Sequence, residues 1–260
     1  MKTVIMLSLM ITLGVSTEVT NLTISQKNSI KNTQTIDSRL RQGDVNIIDS
    51  TVEDVTIGTV DNQNISKIEQ SHIINSDVSQ NIVDINRSSL IRDNLYLDSE
   101  ISNTHIENGS TVIQSSLKVS AGGTVEDSTF RLDSSIRDAV INNSSISQNE
   151  IDVENATVDN LLMSGTHTIH NDTGTVTITN ATVTQGKLSV VGNSRLQDST
   201  ISMSSSIDES VIENSSVNLC SVYITNGANV SGANINGTCT MTDSHITDGA
   251  EVFQGSVVVY

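Results

Sequence analysis

Aliphatic side chains recur along this chain at intervals of five or six residues, a spacing that few folds can use. Val230, Ile235, Met241, Ile246, Val252 and Val257 are separated alternately by 5 and 6. The same beat runs through Ile101, Ile106, Val112, Leu117, Val125, Phe130, Ile136, Ile141 and Ile146, with one step of 8. An amphipathic helix repeats near 3.6 residues and a half-buried strand at 2, so neither accounts for it. A parallel β-solenoid does, because each beat places one aliphatic side chain inside a coil of very short strands. The predicted class is therefore all-β: a single-stranded parallel β-helix (solenoid) with aliphatic ladders inside.

Coil length is read from self-similarity. Ile224-Thr225-Asn226-Gly227-Ala228-Asn229-Val230 returns as Ile246-Thr247-Asp248-Gly249-Ala250-Glu251-Val252. The offset between the two segments predicts coils of about 22 residues. Three beats per turn would instead give coils of about 16–17 residues. Many aliphatic residues follow a set of small polar ones, as in Asp127-Ser128-Thr129-Phe130 and Asp198-Ser199-Thr200-Ile201. On an alternating backbone the small residue two before the aliphatic one also points inward, where a corner has no room for two large side chains. Asp or Asn before it suits the turn, because both tolerate left-handed geometry.

Composition agrees with a folded, repetitive β-rod. The chain has no proline, no tryptophan, two phenylalanines and three tyrosines, yet Ile, Val and Leu are plentiful. Disordered chains lack β-branched aliphatics as well as aromatics. Stacked equivalent layers fill well with Ile on Ile and Val on Val, so bulky rings are not needed.

The N-terminus has Lys2, an apolar run from Val4 to Val15 broken by Ser8, Thr12 and Gly14, then Ser16, Thr17 and Glu18. That is the layout of a secretory signal peptide over 1–17, and it predicts a secreted, extracellular or cell-surface protein with no further membrane insertion. Residues 18–42 carry Lys27, Lys31, Arg39 and Arg41 and few aliphatic beats, as an N-terminal cap or leader would. The solenoid is expected over 43–260. The net charge of −17, with Arg195 the last basic residue, opposes binding to nucleic acid or to an anionic membrane surface. It also keeps long β-edges soluble.

Cys220 and Cys239 are the two cysteines. Coils about 4.8 Å apart lie within disulfide reach, so a bridge between neighbouring coils and a pair of buried thiols are both open, with export favouring the bridge.

Catalytic chemistry is thinly represented. His72, His105 and His245 each precede an aliphatic beat, where alternation points them to solvent. His167-Thr168-Ile169-His170 with Asp172 offers a metal no third strong ligand in a fixed register. The carboxylates are spread as solvated turn residues, and Tyr96, Tyr223 and Tyr260 are isolated, so an extracellular polysaccharide lyase or hydrolase is the alternative function rather than the leading one. No cofactor is expected. Calcium would suit the Asp and Asn turns, but the Gly-Gly-x-Gly-x-Asp nonapeptide is missing. Ice binding is a minor alternative: Thr173, Thr175, Thr177 and Thr179 form one row and Thr238, Thr240 and Thr242 another, yet offsets of 11 or 22 continue neither. The block Met163–Gly186 breaks the beat, with a loop or insertion expected over His167–Asp172 and a strand from Thr175 to Thr179.

The small-x-aliphatic unit, as in Ala156-Thr157-Val158 and Ala233-Asn234-Ile235, resembles pentapeptide-repeat and left-handed hexapeptide-repeat proteins over roughly 43–260. The mixed steps of 5 and 6 depart from both, which puts a square or triangular coil in doubt. The hexapeptide resemblance implies acyl transfer from acyl-CoA through a histidine, but no histidine here sits in a distinctive motif. An acidic Ser/Thr/Asn-rich solenoid is also similar to the passenger regions of secreted adhesins and autotransporters. These resemblances imply a structural or adhesive role, with a surface glycan or matrix component as ligand. Val257-Val258-Val259-Tyr260 ends without a polar cap, so a self-association edge is expected there.

Overall fold

The computed structural model describes the chain apart from residues 1–3, 7–10, 14–17, 21–22, 25–26, 32–33, 37–38, 50, 54–55, 58–63, 171–175, 209, 226, 243, 248 and 260. The described residues form short strands throughout, gathered into parallel sheets of 13, 9, 7 and 7 strands. Each sheet follows the axis because each strand pairs with its equivalent one coil away. Thr129–Arg137, for example, lies between Asn94–Ser102 and Leu162–His170. One coil has two long walls, such as Thr129–Arg137 and Ser145–Glu154, joined by two short ones, Val140–Asn142 and Thr157–Asp159. The fold is a parallel β-solenoid.

The coil is longer than the sequence suggested. Equivalent residues Gln80 and Gln114 are 34 apart, as are Gln114 and Gln148, with 38 from Gln42 to Gln80 and 37 from Gln148 to Gln185. Six aliphatic beats therefore make one coil. The shorter self-repeat arises because two corners of the same coil use one turn chemistry. Ala228 N donates to Thr225 O at 3.3 Å around Gly227 (φ 80°), and Ala250 N donates to Thr247 O at 3.2 Å around Gly249 (φ 78°). Both glycines occupy the left-handed region, which costs other residues steric strain. Stacked coils never superpose those two segments: Ile246 lies over Ile212, and Val230 over Leu196.

Corners explain the Asp-Ser-x-aliphatic signature. Asp127, Asn143, Asn155 and Asp198 have φ between 45° and 50°, which short polar side chains tolerate. After Asp127 and Asp198 the serine turns inward and closes the corner: Ser128 Oγ donates to Glu126 O at 2.8 Å, and Ser199 Oγ to Gln197 O at 2.7 Å. Phe130 and Ile201, two residues further on, are buried.

The segment expected to be a cap or leader carries solenoid strands. Glu18–Thr20 pairs with Thr51–Glu53, Lys27–Lys31 with Asn64–Glu69, and Arg39–Gln42 with Asp77–Gln80. Val4–Met6 and Ile11–Leu13 lie in turn against Arg39–Arg41 and Val45–Ile47.

Inside, the aliphatic residues stand in columns. Leu40, Val78, Val112, Ile146, Val183 and Val217 are in register and buried, as are Ile68, Ile101, Ile136, Ile169 and Ile207. Burying each such side chain stabilises by roughly 1.5–3 kcal/mol. The columns fall into two clusters, one around Leu117, Val125 and Phe130, the other around Val112, Ile136 and Ile141. Each coil thus has two apolar lobes, and what separates them is polar.

Candidate functional site

Between the lobes the two long walls approach each other across a polar seam. On one wall, glutamines stack along the axis. Gln80 Nε2 donates to Gln42 Oε1 at 2.9 Å, Gln114 Nε2 to Gln80 Oε1 at 3.0 Å, Gln148 Nε2 to Gln114 Oε1 at 2.9 Å, and Gln185 Nε2 to Gln148 Oε1 at 2.6 Å. All five side chains are buried. Leu219 occupies the next position and stops the ladder, leaving Gln185 Oε1 without a partner; Gln42 Nε2 is unpartnered at the other end. Each glutamine precedes a residue with positive φ (Gly43, Asn81, Ser115, Asn149 or Gly186), where the wall bends.

The facing wall supplies a second column: Ser66, Ser99, Ser134, His167, Ser205 and Cys239. Side chains tie the two walls in two of the coils. Ser66 Oγ donates to Asn81 Oδ1 at 3.0 Å, and Ser99 and Ser115 share a hydrogen bond at 2.9 Å. In the last coil the tie is covalent. Cys220 and Cys239 are joined as a disulfide, with Cα atoms 6.2 Å apart. Its direction differs from the bridge between neighbouring coils considered above, because the two residues belong to one coil and face each other through its centre.

His167 is the histidine of this seam. It lies in the strand Leu162–His170, not in the expected loop or insertion, and its side chain is wholly buried. Its Nδ1 is 2.7 Å from Ser134 Oγ, while Nε2 has no partner. Burial pushes its pKa down to about 3, opposed by the Asp133 carboxylate. Gly165 makes room for the ring: a Cβ there would stand 2.6 Å from Nε2 and run into Leu132 O. Alternation turns His170 to the opposite face of the strand, so the two histidines cannot share an ion. The register lengthens between His170 and Thr177; residues 171–175, Asp172 among them, lie outside the described residues. The strand expected from Thr175 runs over Val176–Thr179. Among the described residues, no group of three or more His, Cys, Asp or Glu is placed to hold a metal.

Outside the same wall is a shallow concavity of about 360 Å³, bordered by Arg131, Asp133, Thr166, Ser204, Asn236 and Thr238. Arg131 Nε donates to Asp133 Oδ2 at 2.8 Å, and Thr166 N to Asp133 Oδ1 at 2.9 Å. Asp133 is the one carboxylate bordering it among the described residues. Asp98 lies one coil away in register; burial, and then the Asp133 charge, push its pKa up.

Small hydroxyl and amide side chains continue from this concavity in two dimensions. Ser164, Thr166 and Thr168 stack on Ser202, Ser204 and Ser206, and these on Asn236, Thr238 and Thr240. The grid repeats at about 4.8 Å across coils and about 6.7 Å along strands. This corrects the expectation that the Thr238–Thr242 row is isolated, because the longer coil brings Ser204 and Thr166 beside it. The other row does not continue: Thr177 and Thr179 have Val140 and Asn142 on one side, Val211 and Glu213 on the other. Thr173 and Thr175 lie outside the described residues.

At the C-terminal end, Glu251–Gln254 and Val257–Val259 each pair with Ser216–Thr225 and with no other described strand. Val257 is 68% exposed and Phe253 51%. Tyr260 lies outside the described residues. No helix among the described residues is long and apolar enough to cross a membrane.

These features define a parallel β-solenoid repeat protein with a two-lobed coil. No protein-family model matches the chain. No curated protein matches it either. Among solved structures it is similar to HetL, a pentapeptide repeat protein involved in heterocyst differentiation regulation from the cyanobacterium Nostoc sp. strain PCC 7120. The identity is 13%, with 86% of this chain and 87% of that one covered, at a TM-score of 0.12. It is also similar to a hyper-glycosylated fragment of TibA, the product of TibC catalysis. There the identity is 13%, with 92% and 99% covered, at a TM-score of 0.11.

Proposed function

We propose that the chain is an exported, secreted or surface-displayed β-solenoid with a structural and adhesive role, and not an enzyme. The observation that carries this reading is axial continuity. The aliphatic columns and the glutamine ladder commit the interior to stacking one coil on the next, which stiffens a rod. The outer face of the long wall is left with small hydroxyl and amide groups suited to a hydrated ligand such as a surface glycan. Export is supported by the Lys2-to-Thr17 layout and by a cysteine pair that suits an oxidising compartment. A carbohydrate-active enzyme would need converging carboxylates, and among the described residues the outer concavity is bordered by one, Asp133.

The test is fractionation of the producing cell, followed by a glycan and matrix-protein binding screen with the wild-type chain and a Thr166→Lys/Ser204→Lys variant. Surface or medium location with binding lost in the variant supports the role. A chain retained in the cytoplasm would overturn it.

The registered grid favours a second reading, a face for a regular solid such as ice. Inhibition of ice recrystallisation that disappears in the same variant would establish it; equal activity in both chains would remove it.

A further inference from the structure

The strand registers connect the two ends of the rod in a specific way. Followed from coil to coil, Glu251, Val252, Phe253 and Gln254 stand in the same columns as Arg39, Leu40, Arg41 and Gln42. Val257, Val258 and Val259 stand in the columns of Val45, Asn46 and Ile47. Among the described residues, the C-terminal members of these columns pair on one side only, at one end of the largest sheet. Their N-terminal counterparts lie at its other end, where Val4–Met6 covers Arg39–Arg41 and Ile11–Leu13 covers Val45–Ile47.

We infer that the C-terminal edge docks on the Arg39–Gln42 and Val45–Ile47 edge of a second copy of this chain, and that residues 1–17 mask that edge until they are removed. The inference rests on the reading above that residues 1–17 are removed on export.

The two edges match in register and in chemistry. Docking would set Gln254 beside Gln42, whose buried Nε2 has no partner, and so extend the amide ladder into the next molecule. Glu251 would fall in register with Arg39, where Val4 now stands, replacing an apolar residue by one of opposite charge. Val252, Val257 and Val259 would continue the columns of Leu40, Val45 and Ile47.

The other walls continue as well. Glu18–Thr20 of the second copy occupies the columns of Asn229–Ser231, placing Val19 over Val230. Edge-to-edge addition supplies partners for the unpaired N–H and C=O groups of each open strand. A head-to-tail contact of this kind does not close, so it builds filaments rather than dimers.

The experiment uses the full chain with a protease site inserted between Thr17 and Glu18, followed by light scattering and electron microscopy before and after cleavage. A companion variant carries Val257→Pro. The N–H of the equivalent Val222 donates to Ser256 O of the next coil at 2.8 Å, so proline at 257 removes a donor aimed at the open edge and none that holds the rod together.

The expected result is a monomer before cleavage, filaments after it, and a cleaved Val257→Pro chain that stays monomeric with an unchanged β circular-dichroism spectrum. Four results would each overturn the inference: a cleaved wild-type chain that stays monomeric with its spectrum intact, filaments before cleavage, filaments from the proline variant, or loss of the β spectrum on cleavage. N-terminal sequencing of the exported chain separates the two readings. Met1 retained outside the cell would defeat removal of residues 1–17 on export, whatever the cleaved chain does in vitro.

Discussion

Gln114 is held between Gln80 and Gln148, donating to the first at 3.0 Å and accepting from the second at 2.9 Å, in a seam closed to water. An amide ladder is directional and has one spacing, so it fixes the axial register of three coils at once. Aliphatic columns alone would tolerate slippage. Gln114→Leu strands the Gln80 acceptor and the Gln148 donor, and should cost about 1–3 kcal/mol in urea denaturation. Gln185→Leu, at the end of the ladder beside Leu219, strands a single acceptor and should cost clearly less.

Acid should act on His167. Its folded pKa of about 3 lies below the ordinary imidazole value of 6.5, so the unfolded chain takes up the proton first. Stability from this residue is fully present above the ordinary value. It is then lost as pH falls towards 3, at up to ~1.4 kcal/mol per pH unit. Stability measured across this range should be steeper for the wild type than for His167→Ser, which restores the residue found at Ser134 and Ser205.

Asp98 has the opposite sign. Its raised pKa means that the charged form is disfavoured in the folded chain, beside Asp133. Asp98→Asn should therefore stabilise at neutral pH by about 0.5 kcal/mol. The advantage should shrink as pH falls and Asp98 itself becomes protonated. Thermal melts of the two chains at neutral and acidic pH check this.

The disulfide replaces the side-chain ties of earlier coils at the place where the glutamine ladder has stopped. Cys239→Ser should lower stability by about 3 kcal/mol, as expected for a loop spanned by residues 19 apart. Hydrogen exchange should quicken in Ser216–Thr225 and Asn234–Thr242 while Thr129–Arg137 stays protected.

The aliphatic beat made the inner columns legible because a solenoid repeats its interior at each corner, and the Asp-Ser-x-aliphatic signature made the corners legible through Asp127 and Asp198. Coil length was not legible from the Ile224–Val230 and Ile246–Val252 self-repeat, since Gly227 and Gly249 serve two corners of one coil. The signal that would have set it is Gln followed by Gly, Asn or Ser at 42, 80, 114, 148 and 185. It reads as a set of unrelated polar side chains until the amides are seen stacked. The hydroxyl grid was hidden for the same reason, because Thr166, Ser204 and Thr238 align only at the true coil length. His167 was obscured by the extra residues between His170 and Thr177, which made a regular strand resemble a loop.

The central claim is that residues one full coil apart, such as Gln80 and Gln114, stand in axial register along the rod. Cysteines introduced in pairs test it most directly, in a Cys220→Ser/Cys239→Ser background under mild oxidation. Ile113→Cys/Ser147→Cys should cross-link rapidly, because these residues are direct partners on adjacent coils. Ile113→Cys/Ser135→Cys, at the offset of the shorter self-repeat, should stay reduced. Cross-linking of the second pair in preference to the first would contradict the account.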